Sequence, residues 1–106
     1  MPISDMANEY IAKWAEDLKL KGFEEVTIIK ARLPCIEAKR PDGKRLKGFA
    51  AFTPKDLDRK LSQGIEDATE EGFVIFLAVP HEMMGSAEDC LRVWNVSKKV
   101  YLEGVM

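Results

Sequence analysis

One histidine, two cysteines and no apolar run longer than the eight residues of FVIFLAVP mark what this 106-residue chain has little of. Each shortage closes a class of function. A lone His81 supports neither a zinc site nor a Ser-His pair, and it reads as a loop residue after Pro80. Cys35 and Cys90 stand in apolar contexts without CxxC spacing, which points to reduced, buried thiols of a cytoplasmic protein rather than a disulfide or a metal clamp. An apolar run of that length is far too short to cross a bilayer. The opening MPISDMANEY has neither a basic n-region nor an apolar h-region, so no signal peptide is expected and the chain reads as soluble. GxxxxGK[ST], GxGxxG and a Ser nucleophile elbow are all missing, which removes nucleotide-dependent and triad chemistry. Charge of one sign is missing as well. Sixteen basic residues against eighteen acidic ones leave a net charge near −2 and no global attraction to nucleic acid.

What is present is enough for one folded domain. Apolar residues make up 46% of the chain, and a domain of this size buries roughly two-thirds of its extended surface. The charge is unevenly spread. Lys30, Arg32, Lys39, Arg40, Lys44, Arg45 and Lys47 face only Glu37 and Asp42 in the same stretch, whereas Pro54 to Glu71 holds three basic residues and six acids. A positive hairpin is followed by a negative helix.

Periodicity orders the elements. Residues 5–21 read as a helix with Ser4 as N-cap, a stripe of Ala7, Tyr10, Ile11, Trp14 and Leu18, and Gly22 as the C′ residue. Residues 25–40 are strand-like but contain Pro34, which cannot donate to a ladder, so two strands meeting near Leu33–Pro34 are expected. Pro41-Asp42-Gly43 signals a turn, and residues 45–52 return as a strand. Thr53-Pro54 opens a second helix with Leu57, Leu61, Ile65 and Ala68 inward, closed by Gly72. FVIFLAVP is apolar on both faces and reads as a central strand. Ser86 caps a short helix reaching about Trp94, and Lys99 to Gly104 forms a last strand; a hairpin over 91–104 is the alternative. The order is α-β-β-β-α-β with an appended α-β.

The chemistry centres on IEAKRPDG. On a strand, residues two apart share a face, so Glu37 and Lys39 project together while Ile36 and Ala38 enter the core. A strand-held carboxylate can ligate Mg²⁺, and a neighbouring ammonium can stabilise charge on a phosphate. The bare pattern is common: acid-x-Lys also occurs at Asp17–Lys19, Asp42–Lys44 and Asp58–Lys60. Only Glu37–Lys39 stands in a β context; the bland reading is two solvated charges on an ordinary strand.

Two pieces carry a resemblance. IEAKRPDG is similar to apolar-E-x-K-R-P strand ends of some restriction-type and phage-type nucleases. DLDRKLSQGIEDATEEGFVIFLAVP is similar to the helix and strand that follow in archaeal junction resolvases. Over residues 5–80 the chain resembles the restriction-endonuclease-like PD-(D/E)XK nucleases. The resemblance implies a three-layer α/β fold, a mixed sheet between helices, in which Glu37 holds Mg²⁺ and Lys39 is the catalytic lysine. The family expects a further acid on the preceding strand, where Glu24 and Glu25 stand; Glu25 would face Arg40 if the strands turn about residues 32–33. Glu9 and Glu16 on the first helix point to solvent. Gln63 lies opposite the inward stripe of the second helix, and Lys60, at its flank, is the better site candidate.

Two expectations follow. One is a Mg²⁺-dependent nuclease, or a relative that keeps the fold without the chemistry. In it Arg40, Lys44, Arg45 and Lys47 hold the nucleic-acid backbone, and a homodimer compensates for a chain too short to wrap a duplex. The other is a non-enzymatic module that docks on protein or nucleic acid through the basic hairpin 39–47 or the Trp94 face.

Overall fold

The computed structural model describes residues 3–30 and 34–105, residues 3–5 by their backbone alone. In chain order it contains α1 (Ile3–Leu20), β1 (Glu24–Ile29), β2 (Cys35–Lys39), β3 (Arg45–Ala50), α2 (Arg59–Glu70), β4 (Val74–Pro80), α3 (Met84–Val93) and β5 (Val100–Val105). The strands form one sheet in the order β1-β2-β3-β4-β5. The first three are joined antiparallel, then β4 and β5 add in parallel through the two helical crossovers. This is an α/β domain with a five-stranded mixed sheet and helices on both faces.

Alternation along the strands sorts the core into two layers. Ile36, Ala38, Leu46 and Ala50 point to one face and meet Ala7, Ile11, Ala15 and Leu18 of α1. Cys35, Phe49, Ile75, Leu77 and Val79 point to the other and meet Leu61, Ile65 and Ala68 of α2 with Ala87 and Leu91 of α3. The α1 stripe is the one the 3.6-residue period predicts, with Ala15 added to it. The Trp14 indole packs against Gly48, whose missing side chain makes room for it.

Several boundaries differ from the sequence expectation, each for a local reason. Helix α1 begins at Ile3, so Ser4 lies inside its first turn. The predicted turn at 32–33 lies outside the described residues. Thr53-Pro54 opens only one turn of 3-10 helix, Pro54–Asp56, where the Asp56 carboxylate accepts from the amides of Phe52 and Thr53. Leu57 then leaves helical geometry, and Asp58 becomes the true cap of α2, accepting from the Leu61 amide at 3.1 Å. Asp58→Ala is therefore expected to lower stability by about 1 kcal/mol. That is a melting temperature lower by about 4–8 °C in a domain of this size, read by circular dichroism. An unchanged melt would mean that another residue starts the helix. Ser86 caps nothing; after the turn His81–Met83 the chain enters α3 at Met84, and Ser86 falls within the helix. Residues 91–104 are helix then strand, not a hairpin, because β5 pairs in parallel with β4.

Candidate functional site: a charged cleft on the open half of the sheet

α2 lies on β4, and α3 lies on β4 and β5. The same face of β1 and β2, with the start of β3, extends past the helices and is left open. Pairing decides what gathers there. Glu37 sits between Thr27 of β1 and Lys47 of β3, while Lys39 sits opposite Arg45. Residues directly opposite across an antiparallel ladder share a face, so Thr27, Glu37 and Lys47 form one row and Lys39 with Arg45 the next.

The hairpin joining β2 to β3 is closed by local chemistry. Arg40 and Lys44 share the turn hydrogen bond at 2.7 Å, the Asp42 carboxylate accepts from the Lys44 amide at 3.0 Å, and Gly43 takes φ +94°. Arg40 is held by Asp42 at 2.9 Å. Its charge is thus partly answered within the turn, whereas Lys44 stands exposed beside it.

A cleft of about 300 Å³ opens on this face, lined by Glu25, Thr27, Glu37, Ala38, Lys39, Arg45 and Phe73. Phe73 is its floor. The Arg45 guanidinium lies 4.3 Å from the Phe73 ring centroid and donates to the Glu71 carbonyl at 2.6 Å, at the C-terminus of α2. Cation and helix end suit each other there. The Lys47 ammonium lies 5.6 Å from the Phe73 centroid and 5.8 Å from that of Phe49. It also pairs with Glu37, Nζ to Oε2, at 3.4 Å, with the two side chains only 19% and 35% exposed.

Beneath them is Cys35. Burial pushes its thiol above the ordinary range, Glu37 adds to the effect and Lys47 opposes it. The thiol is therefore protonated at neutral pH and is no nucleophile.

The predicted site residues divide clearly. Glu37, Lys39, Arg45 and Lys47 come together. Glu25 joins them by an unforeseen route: β1 carries an irregularity between Glu24 and Thr27, and Glu25 there takes φ +52°. The bulge turns Glu25 into the cleft and sets Glu24, not Glu25, opposite the end of β2, at Lys39. Glu25 does not neutralise Arg40. Glu24 is not among the cleft's lining residues. Lys60 is exposed near the start of α2, about 15 Å along the axis from the end that meets Arg45. Gln63 spends its amide on Asp67 at 2.9 Å. Phe73 and the Glu71 carbonyl were not foreseen; their places depend on the β3–β4 register, which sets Leu46 beside Val74.

The donor set can be weighed for Mg²⁺. Among the described residues no group of three or more His, Cys, Asp or Glu side chains comes together. The cleft has two carboxylates, Glu25 and Glu37, and Glu37 already faces an ammonium. Lys39 and Arg45 match them in number, and Lys47 adjoins the cleft through Glu37, as Glu24 does opposite Lys39. This arrangement suits an anion better than a divalent cation, which favours an excess of carboxylate oxygens.

The remaining flagged residues have ordinary places. His81 is exposed. Trp94 is half-buried at the edge of the same cluster. No helix among the described residues is long and apolar enough to cross a membrane. Comparison with known proteins gives no neighbour to argue from: no family model, curated protein or solved structure matches the chain.

Proposed function

We propose that this domain binds the phosphodiester backbone of a nucleic acid in the cleft beside Phe73, on a scaffold similar to the nuclease core but without hydrolysing it. The observation that carries the reading is the Lys47–Glu37 pair at 3.4 Å beside a cleft in which Lys39 and Arg45 already match the two carboxylates. A carboxylate already answered by an ammonium is a poor metal ligand, while Lys39 makes no ion pair among the described residues. Lys39, Lys47 and the exposed Lys44 form a short cationic track that can follow successive phosphates. Such contacts fix position and carry no base information, so binding is expected to be sequence-blind.

A second reading has its own observation. Glu25, Glu37 and Lys39 line one cleft, and two carboxylates with several waters are a minimal set for Mg²⁺. In that reading Glu25 and Glu37 would hold the ion and Lys39 would stabilise the phosphate. It requires Lys47 to leave Glu37.

Fluorescence anisotropy with labelled single- and double-stranded DNA and RNA, titrated against salt, tests the first reading. Three phosphate contacts predict a log–log slope of about −2 to −3. Absence of binding at low salt, or binding indifferent to salt, withdraws it. The same strands incubated with Mg²⁺ or Mn²⁺ test the second: cleavage that disappears in Glu37→Ala would replace a binding module with a nuclease.

A further inference from the structure

The sheet has two free edges, and they differ. The β1 edge is broken by the irregularity at Glu25, a device that discourages strand addition. The β5 edge pairs regularly with β4 from Val100 to Val105, with no irregularity in its register. It carries Tyr101, 64% exposed and the only exposed aromatic side chain among the described residues. The Tyr101 ring stacks on Phe76 at 5.1 Å and 24°, and Phe76 meets Trp14 edge-on at 6.3 Å. α1 lies over β1, β2 and β3. The Phe76–Tyr101 side of the last two strands therefore forms the flank of a groove of about 500 Å³, lined by Tyr10, Trp14, Phe76 and Glu103 among others.

We propose that a second copy of this chain docks along β5, antiparallel, and joins the two sheets into one. Charge complementarity between Glu103 of β5 and Lys99, in the turn just before it, fixes the register. Two antiparallel strands related by a two-fold axis oppose residues whose numbers sum to an even value, because opposed residues turn their backbone groups the same way. Centring the axis on Tyr101 sets Lys99 opposite the partner's Glu103, Val100 opposite the partner's Leu102, and Tyr101 opposite the partner's Tyr101. Tyr101 and Glu103 share one face of β5, and Lys99, in the turn just before the strand, joins them where the new pairing extends the ladder by one residue, so that opposite charges flank an aromatic pair. Val100 and Leu102 share the other face, where they extend the core beneath α3. The neighbouring registers lose this match. Centring on Leu102 sets Glu103 against the partner's Tyr101, and centring on Glu103 sets two carboxylates against each other. β5 and the residue leading into it thus carry both halves of an isologous contact.

The inference goes beyond the nucleic-acid reading and stands whether or not the cleft binds a phosphate. Sedimentation equilibrium over a concentration series is the test, with the parent expected at twice the 12.0 kDa chain mass. Glu103→Lys places like charges opposite each other at both symmetric positions and is expected to weaken the dimer about tenfold or more. Lys99→Glu combined with Glu103→Lys exchanges the partners and is expected to restore the affinity to within about threefold. Tyr101→Lys alters an exposed position, so folding survives while two ammonium groups meet at the axis; circular dichroism verifies the fold of each variant. A parent that stays monomeric at the highest soluble concentration overturns the proposal. So does a dimer indifferent to Glu103→Lys and Tyr101→Lys, or an exchange that fails to restore association.

Discussion

Gly48→Val is expected to lower stability by about 3 kcal/mol, at the upper end of what overpacking a tight site ordinarily does. A Cβ at this position would stand 2.4 Å from Trp14 Cη2, 2.7 Å from Cζ3 and 3.0 Å from Cζ2. Real contacts of that kind do not approach so closely, so either the strand or the indole has to move. The strand is held by Ile36 on one side and Phe76 on the other, as neighbours in the ladder. The indole is held by Tyr10 at 5.6 Å and by Phe76 edge-on at 6.3 Å. A branched side chain adds two methyl groups to the intrusion. At about 4–8 °C per kcal/mol, the melting midpoint should fall by roughly 12–24 °C. Gly48→Ala should follow the same direction with a smaller loss. Pairing it with Trp14→Phe separates cause from coincidence: if the indole is the obstacle, the double variant is less destabilised than the sum of the singles. Strict additivity would rule out the clash.

Gly48 also shows what a sequence hides. Glycine inside a strand signals close approach by something, but nothing local names Trp14, thirty-odd residues earlier in the chain. Features written in local chemistry were legible. The α1 stripe follows from helical period, the Pro41–Gly43 turn from a glycine that adopts φ +94°, and the buried β4 from an uninterrupted apolar run. Features set by competition between neighbours were not. Thr53 and Asp58 are both good caps, and only the non-helical Leu57 between them decides that α2 starts at the second. The candidate site divides along the same line. That Glu37 and Lys39 share a face is a consequence of strand period alone, and the positive hairpin already placed Arg45 and Lys47 nearby. Glu25 reaches the cleft only through a bulge that its sequence does not announce. Phe73 arrives through a parallel pairing whose register is set by a whole crossover. Lys60 stands apart from this cleft for a simpler reason: the helical period gives its place around the axis, but its distance along the axis sets it near the other end of α2.

Replacing Lys39 and Lys47 together by glutamine is expected to weaken backbone binding about sixty-fold at 0.1 M salt. Each phosphate contact contributes about 0.9 to the slope of log K against log salt on duplex DNA, so two lost contacts remove about 1.8 decades at that concentration, relative to 1 M. The same change should flatten the measured slope by nearly two units and affect all sequences alike. Lys39 is the simpler half, since it makes no ion pair among the described residues. Lys47 acts twice, because its ammonium also answers Glu37 at 3.4 Å. Removing it leaves a half-buried carboxylate facing the cleft without its ammonium. Removing Lys39 as well leaves Arg45 alone against Glu25 and Glu37, so repulsion adds to the lost attraction. A control with equal loss of charge keeps the argument local. Lys19 and Lys55 are exposed and do not line the cleft, and Lys19→Gln with Lys55→Gln should leave affinity within about twofold, since neither contacts the bound backbone and solvent-exposed charges are screened by salt. If both double variants weaken binding equally, net charge rather than this cleft attracts the ligand. If neither does, the phosphate is held elsewhere, and the Lys47–Glu37 pair is only a brace between neighbouring strands.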